Sequence, residues 1–462
     1  MAAERSSVLD PATPRRVHVV GAGGAGMSAI ASVLAAMGHA VTGSDLKSSP
    51  VLERLEAGGV RVSVGHDAAH VADAEILAVS TAVPATNPEV AEGRRRGLVV
   101  LSRAEALAQI ARSRRCVAVS GTHGKTTTTS MLGLILIEAG MRPSFLIGGE
   151  VNEIGTNALW DGGPWLVLEA DESDGTFLEL SPEIAVVTNV EPDHLDHYGT
   201  FEGLVGAFDR FVGSATGGAV VGSDDPVAAR LGRHHGATLV GEAADATYRI
   251  VQLELGRDGG VAFTLRHAEG EVGRVALPVT GAHIARNAAV AVVTAMTVGA
   301  PFGAAARALA RFAGVARRFE SRGEAAGVRF VDDYAHLPSE VAAVIAAARA
   351  MDLERLVVVF QPHRYSRIAA LGEEFADAFV GADVVVITDI FPAGEAPRPG
   401  VTGRVVADAV RRAHPELDVT YVAGRAELRA HVAALLRAGD LCLTLGAGDL
   451  TTLPDELQGV VA

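Results

Sequence analysis

Cysteine and aromatic residues are scarce in this chain of 462 residues, which has two cysteines and 5% aromatic residues. Cys116 and Cys442 lie in strand-like segments without a metal-ligand spacing, so we expect no disulfide framework and a reducing, cytoplasmic location. No stretch approaches about 18 consecutive apolar residues, so we expect no membrane span and no membrane as a partner. The N-terminus has no apolar segment of the kind that a secretory signal requires.

Positive charge is also scarce. The chain has 40 lysines and arginines against 55 aspartates and glutamates, and its formal net charge is −15. This balance argues against nucleic acid as a partner, and any phosphate-bearing ligand has to be held by local groups. Two of the basic residues are lysines, Lys47 and Lys125. Because a compact ammonium fits between phosphate oxygens where a planar guanidinium does not, Lys125 is a candidate phosphate-binding residue.

The length of the chain and its alternating apolar runs indicate several α/β domains. A chain this long exceeds one ordinary core, so we expect two to four domains. Short β-branched runs such as "CVAVS" and "RLVVVFQ" alternate with amphipathic segments, which favours parallel sheets with right-handed crossovers. The segment "YRIVQLELGRDGGVAFTLRH" instead predicts a hairpin with Asp258, Gly259 and Gly260 at its turn.

The segment "VAVSGTHGKTTTTSML" has the pattern of a phosphate-binding loop that lacks its first glycine, with Val119 in that position. A strand, a glycine turn and a helix follow one another here, so backbone amides at Gly121 and Gly124 can surround anionic oxygens. Lys125 then reaches the β- and γ-phosphates, and the hydroxyl of Thr126 binds Mg²⁺. The alternative is an ordinary glycine turn before a threonine-rich helix.

Two acidic segments follow apolar strands and are candidates for a metal site. "LVLEADESD" places Glu169 where a strand ends, and carboxylate oxygens are the ligands that Mg²⁺ prefers. A solvated acidic loop is the alternative. "NVEPDHLDHY" brings His194 and His197 three residues apart, and both a structural and a metal-binding interpretation stay open.

The glycine-rich segment "GAGGAG" satisfies G-x-G-x-x-G with Gly21, Gly23 and Gly26, and Asp45 follows at the end of the next strand. Taken alone, this pattern supports a NAD-dependent dehydrogenase. The pattern reports a diphosphate at a helix N-terminus and not hydride chemistry, however, so a nucleotide-sugar diphosphate suits it equally.

The segment "FQPHRYSR" contains Arg364 and Arg367, which are three residues apart. On a helix the two side chains share a face and can bind a carboxylate or phosphate together. Two ordinary surface arginines are the alternative.

Together with "STAVPATNPEV", "GAHIARNAA", "GVARRFE", "VDDYAHLPSE" and "LGAGD", these segments resemble the Mur ligases of peptidoglycan synthesis almost from end to end. In that family the loop is written G-T-H-G-K-T, so Val119 and His123 are ordinary there. The resemblance implies an α/β fold with three domains. These are a Rossmann-like UDP-sugar-binding domain (1–113), a central P-loop ATPase domain with a mainly parallel sheet (114–322) and a Rossmann-like amino-acid-binding domain (323–462).

The resemblance also implies a reaction. It is strongest to the members that use ATP and Mg²⁺ to join L-alanine to the lactyl carboxylate of UDP-N-acetylmuramate through an acyl phosphate. A sister ligase that adds a peptide or a different amino acid is the alternative within the family. A protein that hydrolyses ATP without making a bond is the alternative outside it. We expect a monomer or a weak homodimer.

Motif matches imply the site residues for ATP and the metal ions. Thr126 and Glu169 resemble ligands of one Mg²⁺, and His194 resembles a ligand of a second. The catalytic positions implied are Lys125, His194, Arg318 and His336. The ATP-binding positions implied are Gly121, Thr122, His123, Gly124, Lys125, Thr126, Thr127, His283, Asn287, Arg318 and Asp333, with His283 and Asn287 at the adenine.

Motif matches likewise imply the substrate positions. The expected cradle for the UDP-sugar is Gly23, Gly24, Ala25 and Gly26 with Ser80. The residues expected around the incoming amino acid are Tyr334, His336, Arg364 and Arg367.

Three positions depart from the family pattern. Ile284 stands where the family has asparagine, so more of the expected adenine contact falls to Asn287. Leu337 replaces a second histidine after His336. Several relatives carry a carbamylated lysine at the second metal, but this chain has Phe208 near that point.

Overall fold

The computed structural model describes residues 8–257 and 259–461, and Asp258 of the expected hairpin turn lies outside them. The chain forms two compact units. The first contains the chain up to Arg249 with His267–Gly270 and Ala288–Ala308, and the second contains Ile250–Arg266, Glu271–Asn287 and the chain from Leu309 onwards.

The first sheet consists of five parallel strands in the order β3-β2-β1-β4-β5. Its strands are β1 (Arg16–Val20), β2 (Ala40–Asp45), β3 (Arg61–Val64), β4 (Ile76–Val79) and β5 (Val99–Ser102). The helices between them are α1 (Ala25–Ala36), α2 (Pro50–Ala57), α3 (Pro88–Arg95) and α4 (Arg103–Ala111), and a short 3₁₀ helix covers Ala68–Val71. The strand order reverses direction between β1 and β4, and such a switch point leaves a crevice for a ligand at the carboxyl ends of the strands.

Local sequence explains where these helices begin. The side chain of Asn87 caps α3 by accepting hydrogen bonds from Glu89 N and Val90 N, and Pro88 occupies the first helical position. Helix α4 begins with a capping box between Ser102 and Glu105. Helix α1 begins after Gly24, which has no side chain to cap the helix.

The second sheet has ten strands in the order β15-β14-β13-β12-β11-β10-β6-β9-β7-β8. Its strands are β6 (Arg115–Ser120), β7 (Ser144–Val151), β8 (Thr156–Leu159), β9 (Trp165–Glu169), β10 (Ile184–Val187), β11 (Ala219–Gly222), β12 (Thr238–Gly241), β13 (Tyr248–Leu255), β14 (Val261–His267) and β15 (Gly270–Leu277). Strand β6 lies between β9 and β10 and is parallel to both. The predicted hairpin is present as the neighbouring strands β13 and β14.

The helices that accompany this sheet are α5 (Lys125–Glu138), α6 (Leu195–Tyr198), α7 (Phe201–Gly213), α8 (Pro226–His234), α9 (Ala282–Thr297) and α10 (Phe302–Leu309), and a 3₁₀ helix covers Thr176–Glu179. Helix α5 follows the candidate phosphate loop, and its residues Met131, Leu132, Ile135 and Leu136 are fully buried. This burial fixes the helix, and therefore its N-terminal turn, against the sheet.

The third sheet has six strands in the order β16-β17-β21-β18-β19-β20. Its strands are β16 (Glu320–Ala325), β17 (Val328–Asp333), β18 (Arg355–Phe360), β19 (Val384–Ile387), β20 (Asp418–Tyr421) and β21 (Asp440–Leu445). Its helices are α11 (Pro338–Arg349), α12 (Tyr365–Leu371), α13 (Arg404–Ala413), α14 (Arg425–Leu435) and α15 (Leu453–Val461), with 3₁₀ helices at Gly372–Asp377 and Asp449–Thr452. The edge strand β16 is antiparallel and the other five are parallel.

In the part of the chain that the structure describes, no helix combines the length and the apolar character needed to cross a lipid bilayer. The domain limits expected after residues 113 and 322 do not coincide with the two units and stay a prediction.

Candidate active site

The candidate phosphate loop is a tight turn between β6 and α5. Gly121 has φ +135° and Gly124, the N-cap of α5, has φ +78°, and L side chains rarely adopt these conformations. A Cβ atom on Gly121 would also collide with the hydroxyl of Thr188. The first amides of an α-helix have no intrahelical acceptor, so the start of α5 offers donors to an anion. The turn and the first residues of α5 contain all seven residues expected to bind ATP phosphates, from Gly121 to Thr127.

The ammonium of Lys125 lies inside this turn. Its Nζ donates to the carbonyl oxygens of Gly121 at 2.7 Å and Thr122 at 3.3 Å, and it contacts Glu172 Oε1 at 2.7 Å. Burial alone would lower the pKa of Lys125, but the neighbouring carboxylates of Glu172 and Asp171 raise it above its ordinary value. The side chain therefore stays a cation when it meets a phosphate.

Glu172 is the partner of Lys125, and the sequence pattern did not single it out. Its side chain is 2% exposed, and burial raises its pKa to about 7 although Lys125 opposes the shift. Tyr198 donates its hydroxyl to the backbone carbonyl of Glu172, which fixes the segment. The sequence feature that could have indicated this contact is the position of Glu172 in the acidic segment after β9, because β9 lies next to β6 in the sheet.

Thr126 and Glu169, the two expected ligands of one Mg²⁺, lie together. The hydroxyl of Thr126 donates to Glu169 Oε1 at 2.9 Å, and the backbone N–H of Gly148 donates to Glu169 Oε2 at 2.7 Å. A hydroxyl and a carboxylate are hard oxygen donors that suit Mg²⁺. This donor set fits the expected metal.

His194, the expected ligand of a second metal, is the N-cap that precedes helix α6 and has φ +53°. Its Nε2 lies 3.2 Å from Asp193 Oδ2 and 4.0 Å from Glu172 Oε1. His194 and Lys125 thus share Glu172 as a neighbour. The ring of His197 packs against Tyr198, with centroids 4.7 Å apart.

Residues after β10 support the phosphate loop, and the pattern did not predict this role for them. Asn189 Oδ1 accepts from His123 N at 2.8 Å, and Asn189 Nδ2 donates to His123 O at 3.1 Å. The ring of His123 contacts Glu191 Oε2 at 3.2 Å, and Thr122 Oγ1 accepts from Glu191 N at 2.8 Å. The loop is therefore held from the neighbouring strand end.

The glycine-rich segment after β1 forms a turn at the switch point of the first sheet. Gly21 N and Ala22 N both donate to Ser44 O at 2.9 Å, and Gly23 N donates to Asp45 Oδ2 at 2.8 Å. Asp45, which is part of the pattern that supported a dehydrogenase, thus contacts the turn itself. Ser80 lies beside the turn, because a Cβ atom on Gly21 would be 2.9 Å from Ser80 Cβ.

This turn leads directly into α1. Gly24 is the N-cap, and Ala25 and Gly26 are the first two helical residues. Their amides precede the first intrahelical hydrogen bond, so they are the natural donors to a diphosphate. The expected cradle thus consists of the four residues from Gly23 to Gly26 in the turn and helix start, with Ser80 beside the turn.

The second unit contains a second polar cluster, which is formed by Arg318, Asp333, Tyr334 and His336. The buried carboxylate of Asp333 accepts from Phe319 N and Ala335 N, both at 2.7 Å. Burial raises the pKa of Asp333 to about 6, and the guanidinium of Arg318 opposes that shift. Arg318 also lies over the ring of Tyr334, 5.1 Å from its centroid.

His336 joins this cluster through Glu340. The backbone N–H of His336 donates to Glu340 Oε2 at 2.9 Å, and Arg318 Nη1 lies 4.0 Å from Glu340 Oε1. The ring of His336 lies 5.5 Å from the ring of His363. The sequence pattern singled out neither Glu340 nor His363.

Arg364 and Arg367 do not share a helical face, so that premise of the sequence interpretation is wrong. Arg364 precedes α12 and has φ +67°, whereas Arg367 lies within the helix. Arg367 is buried, and its Nη1 lies 2.9 Å from Nδ1 of His363, whose ring stacks on Phe391. His363 thus contacts both His336 and Arg367.

The two expected adenine residues lie one turn apart near the start of α9. A Cβ atom on Gly281, which has φ +115°, would lie 2.6 Å from the ring of His283, so glycine allows the ring its position. Asn287 is four residues further along the helix and lies on the same face as His283. Ile284 is buried, which explains how an apolar residue is accommodated at that departure from the family pattern.

Models of one protein family match three successive parts of the chain. Residues 16–115 match the model described as Mur ligase family, catalytic domain; residues 119–295 match the Mur ligase middle domain; and residues 317–448 match the Mur ligase, glutamate ligase domain. The UDP-N-acetylmuramate–L-alanine ligase of Geobacter sp. (strain M21) is 46% identical over 94% of this chain and 95% of its own. The enzyme of that name from Kineococcus radiotolerans is 47% identical over 97% of this chain and 96% of its own.

A solved structure is similar over nearly the whole chain. The crystal structure of the UDP-N-acetylmuramate-alanine ligase from Thermotoga maritima has a TM-score of 0.79 at 27% identity, and the match covers 96% of this chain and 98% of that one. The predicted fold, three α/β domains with mainly parallel sheets, is confirmed. The chain belongs to the Mur ligase family.

Proposed function

We propose that this chain is an ATP-dependent ligase that joins L-alanine to the lactyl carboxylate of UDP-N-acetylmuramate, in the synthesis of peptidoglycan precursors. The position of Lys125 is the structural observation that supports this proposal best. Its ammonium is largely buried in a glycine turn beside the Thr126–Glu169 pair, an arrangement suited to a nucleoside triphosphate. The names of relatives that match along the whole chain supply the substrates.

The chemistry explains why such a site is needed. A carboxylate at neutral pH is a poor electrophile, so one of its oxygens first attacks the γ-phosphorus and ADP leaves. The amine of alanine then attacks the carbonyl carbon of the acyl phosphate, and inorganic phosphate leaves from the tetrahedral intermediate. Each step moves negative charge among oxygen atoms, so positioning and charge neutralisation are the main contributions that the protein makes.

The residues of the chain take the following roles in the proposal. The turn at Gly121 and Gly124 and the ammonium of Lys125 bind the triphosphate. Thr126 and Glu169 would hold Mg²⁺, with His194 at a second ion, and the ions would supply positive charge next to the phosphates. Arg318 contacts the ATP phosphates, Asp333 contacts ribose or phosphate, and His283 and Asn287 bind adenine.

The substrate residues complete the proposal. The amides from Gly23 to Gly26, with Ser80, bind the diphosphate of the UDP-sugar. Tyr334, His336, Arg364 and Arg367 surround the incoming alanine, and a guanidinium binds its carboxylate. We also propose a cytoplasmic location, a monomer or weak homodimer, and domain limits at 113/114 and 322/323.

A substrate panel tests the function. ADP release is measured with UDP-N-acetylmuramate and, in separate reactions, L-alanine, L-serine, glycine or a peptide. We expect ADP release that requires the UDP-sugar and is fastest with L-alanine. Release with a tripeptide but not with alanine would identify a sister ligase, and release without any UDP-sugar would identify an ATPase that makes no bond.

A further inference from the structure

A completely buried carboxylate, Glu89, lies behind the glycine-rich turn in the first unit. It is the second residue of helix α3 and has no exposed surface. Its Oε2 accepts from Ser44 Oγ at 2.6 Å and pairs with His66 Nδ1 at 2.8 Å. Its Oε1 pairs with His70 Nδ1 at 2.7 Å. A third imidazole, His18, is also buried, and its Nε2 lies 3.7 Å from Glu89 Oε1.

These contacts keep Glu89 ionised. Burial alone would favour the neutral acid, but interactions with His18, Ser44, His70 and His66 lower its pKa to about 2. A carboxylate only accepts hydrogen bonds, so Nδ1 of His66 and of His70 must carry the proton. A buried carboxylate that accepts hydrogen bonds on both oxygens is costly to replace by an amide, because the amide keeps one acceptor and turns an NH₂ group towards the remaining donors.

Ser44 connects this network to the glycine-rich turn. While its hydroxyl donates to Glu89, its backbone carbonyl accepts both Gly21 N and Ala22 N. The next residue, Asp45, accepts Gly23 N through its side chain. Three consecutive amides of the turn are therefore bound to the end of β2, and Glu89 fixes the side chain of Ser44 at that end.

The direction of the remaining amides depends on this attachment. With Gly21, Ala22 and Gly23 bound to the end of β2, the chain enters α1 at Gly24 in one orientation. The amides of Ala25 and Gly26 then point along the start of the helix, where a diphosphate would lie. A small displacement of such donors has a large effect on a bound anion.

We infer that Glu89 is a positioning residue for the UDP-sugar, acting through Ser44 on the glycine-rich turn. This inference rests on the proposed function. Glu89 does not touch the ligand in this scheme. It keeps the donors of the turn where the diphosphate needs them.

The test compares Glu89→Gln with Glu92→Gln. Both residues lie on α3, but Glu92 forms an ion pair with Arg95 at the surface, so its replacement is a matched control. We expect Glu89→Gln to raise KM for UDP-N-acetylmuramate and the Kd measured by calorimetry by about 10-fold to 100-fold. KM for ATP and for alanine should stay within about twofold, and Glu92→Gln should behave as the unaltered protein.

Ser44→Ala provides a second variant if Glu89→Gln folds poorly, because it removes the hydroxyl and keeps the backbone carbonyl. It should raise the same KM, and the double variant should be no worse than the poorer single variant. A folded Glu89→Gln protein with an unchanged KM for the UDP-sugar, or an equal rise in all three KM values, would overturn the inference. If the unaltered protein needs no UDP-sugar, the proposed function fails and this inference fails with it.

Discussion

At the scale of single residues, the candidate active site depends on the shape of its cations. Lys125 makes three short contacts inside the phosphate loop, and two of them are to backbone carbonyls of the turn itself. A guanidinium is planar and larger, so it cannot occupy the same volume without displacing the turn. At position 125, positive charge alone is therefore not sufficient, and the shape of the lysine side chain is also required.

Lys125→Arg should lower kcat for UDP-N-acetylmuramate-dependent ADP release by about 100-fold or more, because the replacement keeps the charge but not the fit. The chain offers a matched control, since the exposed Lys47 is its other lysine. Lys47→Arg should leave kcat unchanged. Equal activity of the two variants would show that charge alone is needed at position 125.

Arg367→Ala should raise KM for alanine by about 10-fold or more while KM for ATP stays nearly constant, because a charge-assisted hydrogen bond to the alanine carboxylate is lost. Arg404→Ala is the control, because Arg404 is an exposed arginine on α13 of the same unit. Steady-state kinetics with each substrate varied in turn checks the expectation. An unchanged dependence on alanine would assign the carboxylate to another residue, with Arg364 as the next candidate.

At the scale of secondary-structure elements, the function depends on how β6 turns into α5. Gly121 combines a positive φ with a close approach to Thr188 on the neighbouring strand end. Gly140, just after the same helix, also has a positive φ, but a Cβ atom there would meet nothing within 4 Å. Alanine substitutions at Gly121 and Gly140 therefore distinguish the cost of backbone strain from that of a steric collision.

Gly121→Ala should abolish ATP binding and destabilise the protein more than Gly140→Ala does. Both substitutions carry the cost of a positive φ, about 1–3 kcal/mol, but the first also forces Thr188 and the loop apart. Denaturant unfolding and binding of a non-hydrolysable ATP analogue check both parts. Intact ATP binding by Gly121→Ala would mean that the loop can open without loss of function.

The same element shows what could be predicted from the sequence. The strand, turn and helix around Lys125 follow local patterns. The Thr126–Glu169 pair could be anticipated because Thr126 follows the glycine turn in the phosphate-loop pattern and Glu169 ends an apolar strand. Glu172 beside Lys125 and Asn189 beside His123 could not be assigned these contacts, which join residues 47 and 66 positions apart in the chain. Those contacts depend on β6 lying between β9 and β10, and no local pattern records strand order. The prediction that Arg364 and Arg367 share a helical face is wrong because helix α12 begins one residue after Arg364.

At the scale of the whole molecule, two buried carboxyl groups have clearly raised pKa values, Glu172 in the first unit and Asp333 in the second. Burial raises the pKa of Glu172 in the first unit to about 7 and that of Asp333 in the second to about 6. A carboxyl group with a raised pKa in the folded state contributes stability that is fully present below its ordinary pKa. That contribution is lost as the pH rises through the folded-state value.

We therefore expect the protein without ligands to lose thermal stability between pH 5 and pH 8. The total loss at each group should amount to about 1.4 kcal/mol for each unit of pKa shift. It begins near the ordinary pKa of the group and is complete above the folded-state value, so part of it has already occurred at pH 5. Glu172→Gln and Asp333→Asn should each flatten the pH dependence of the unfolding midpoint, whereas replacing the exposed Glu53 with glutamine should not. A midpoint that rises over this pH range would contradict the expectation.

The contact between Asp45 and Gly23 has a consequence for genome annotation. A glycine-rich turn followed by an acidic residue at the end of the next strand is widely taken as a sign of redox enzymes. In this chain Oδ2 of Asp45 accepts a hydrogen bond from Gly23 N in the turn. The same sequence pattern therefore stabilises the backbone of the turn here. Assignments of redox chemistry from this pattern therefore need evidence of a nicotinamide pocket as well, or ligases of this kind will be counted among the dehydrogenases.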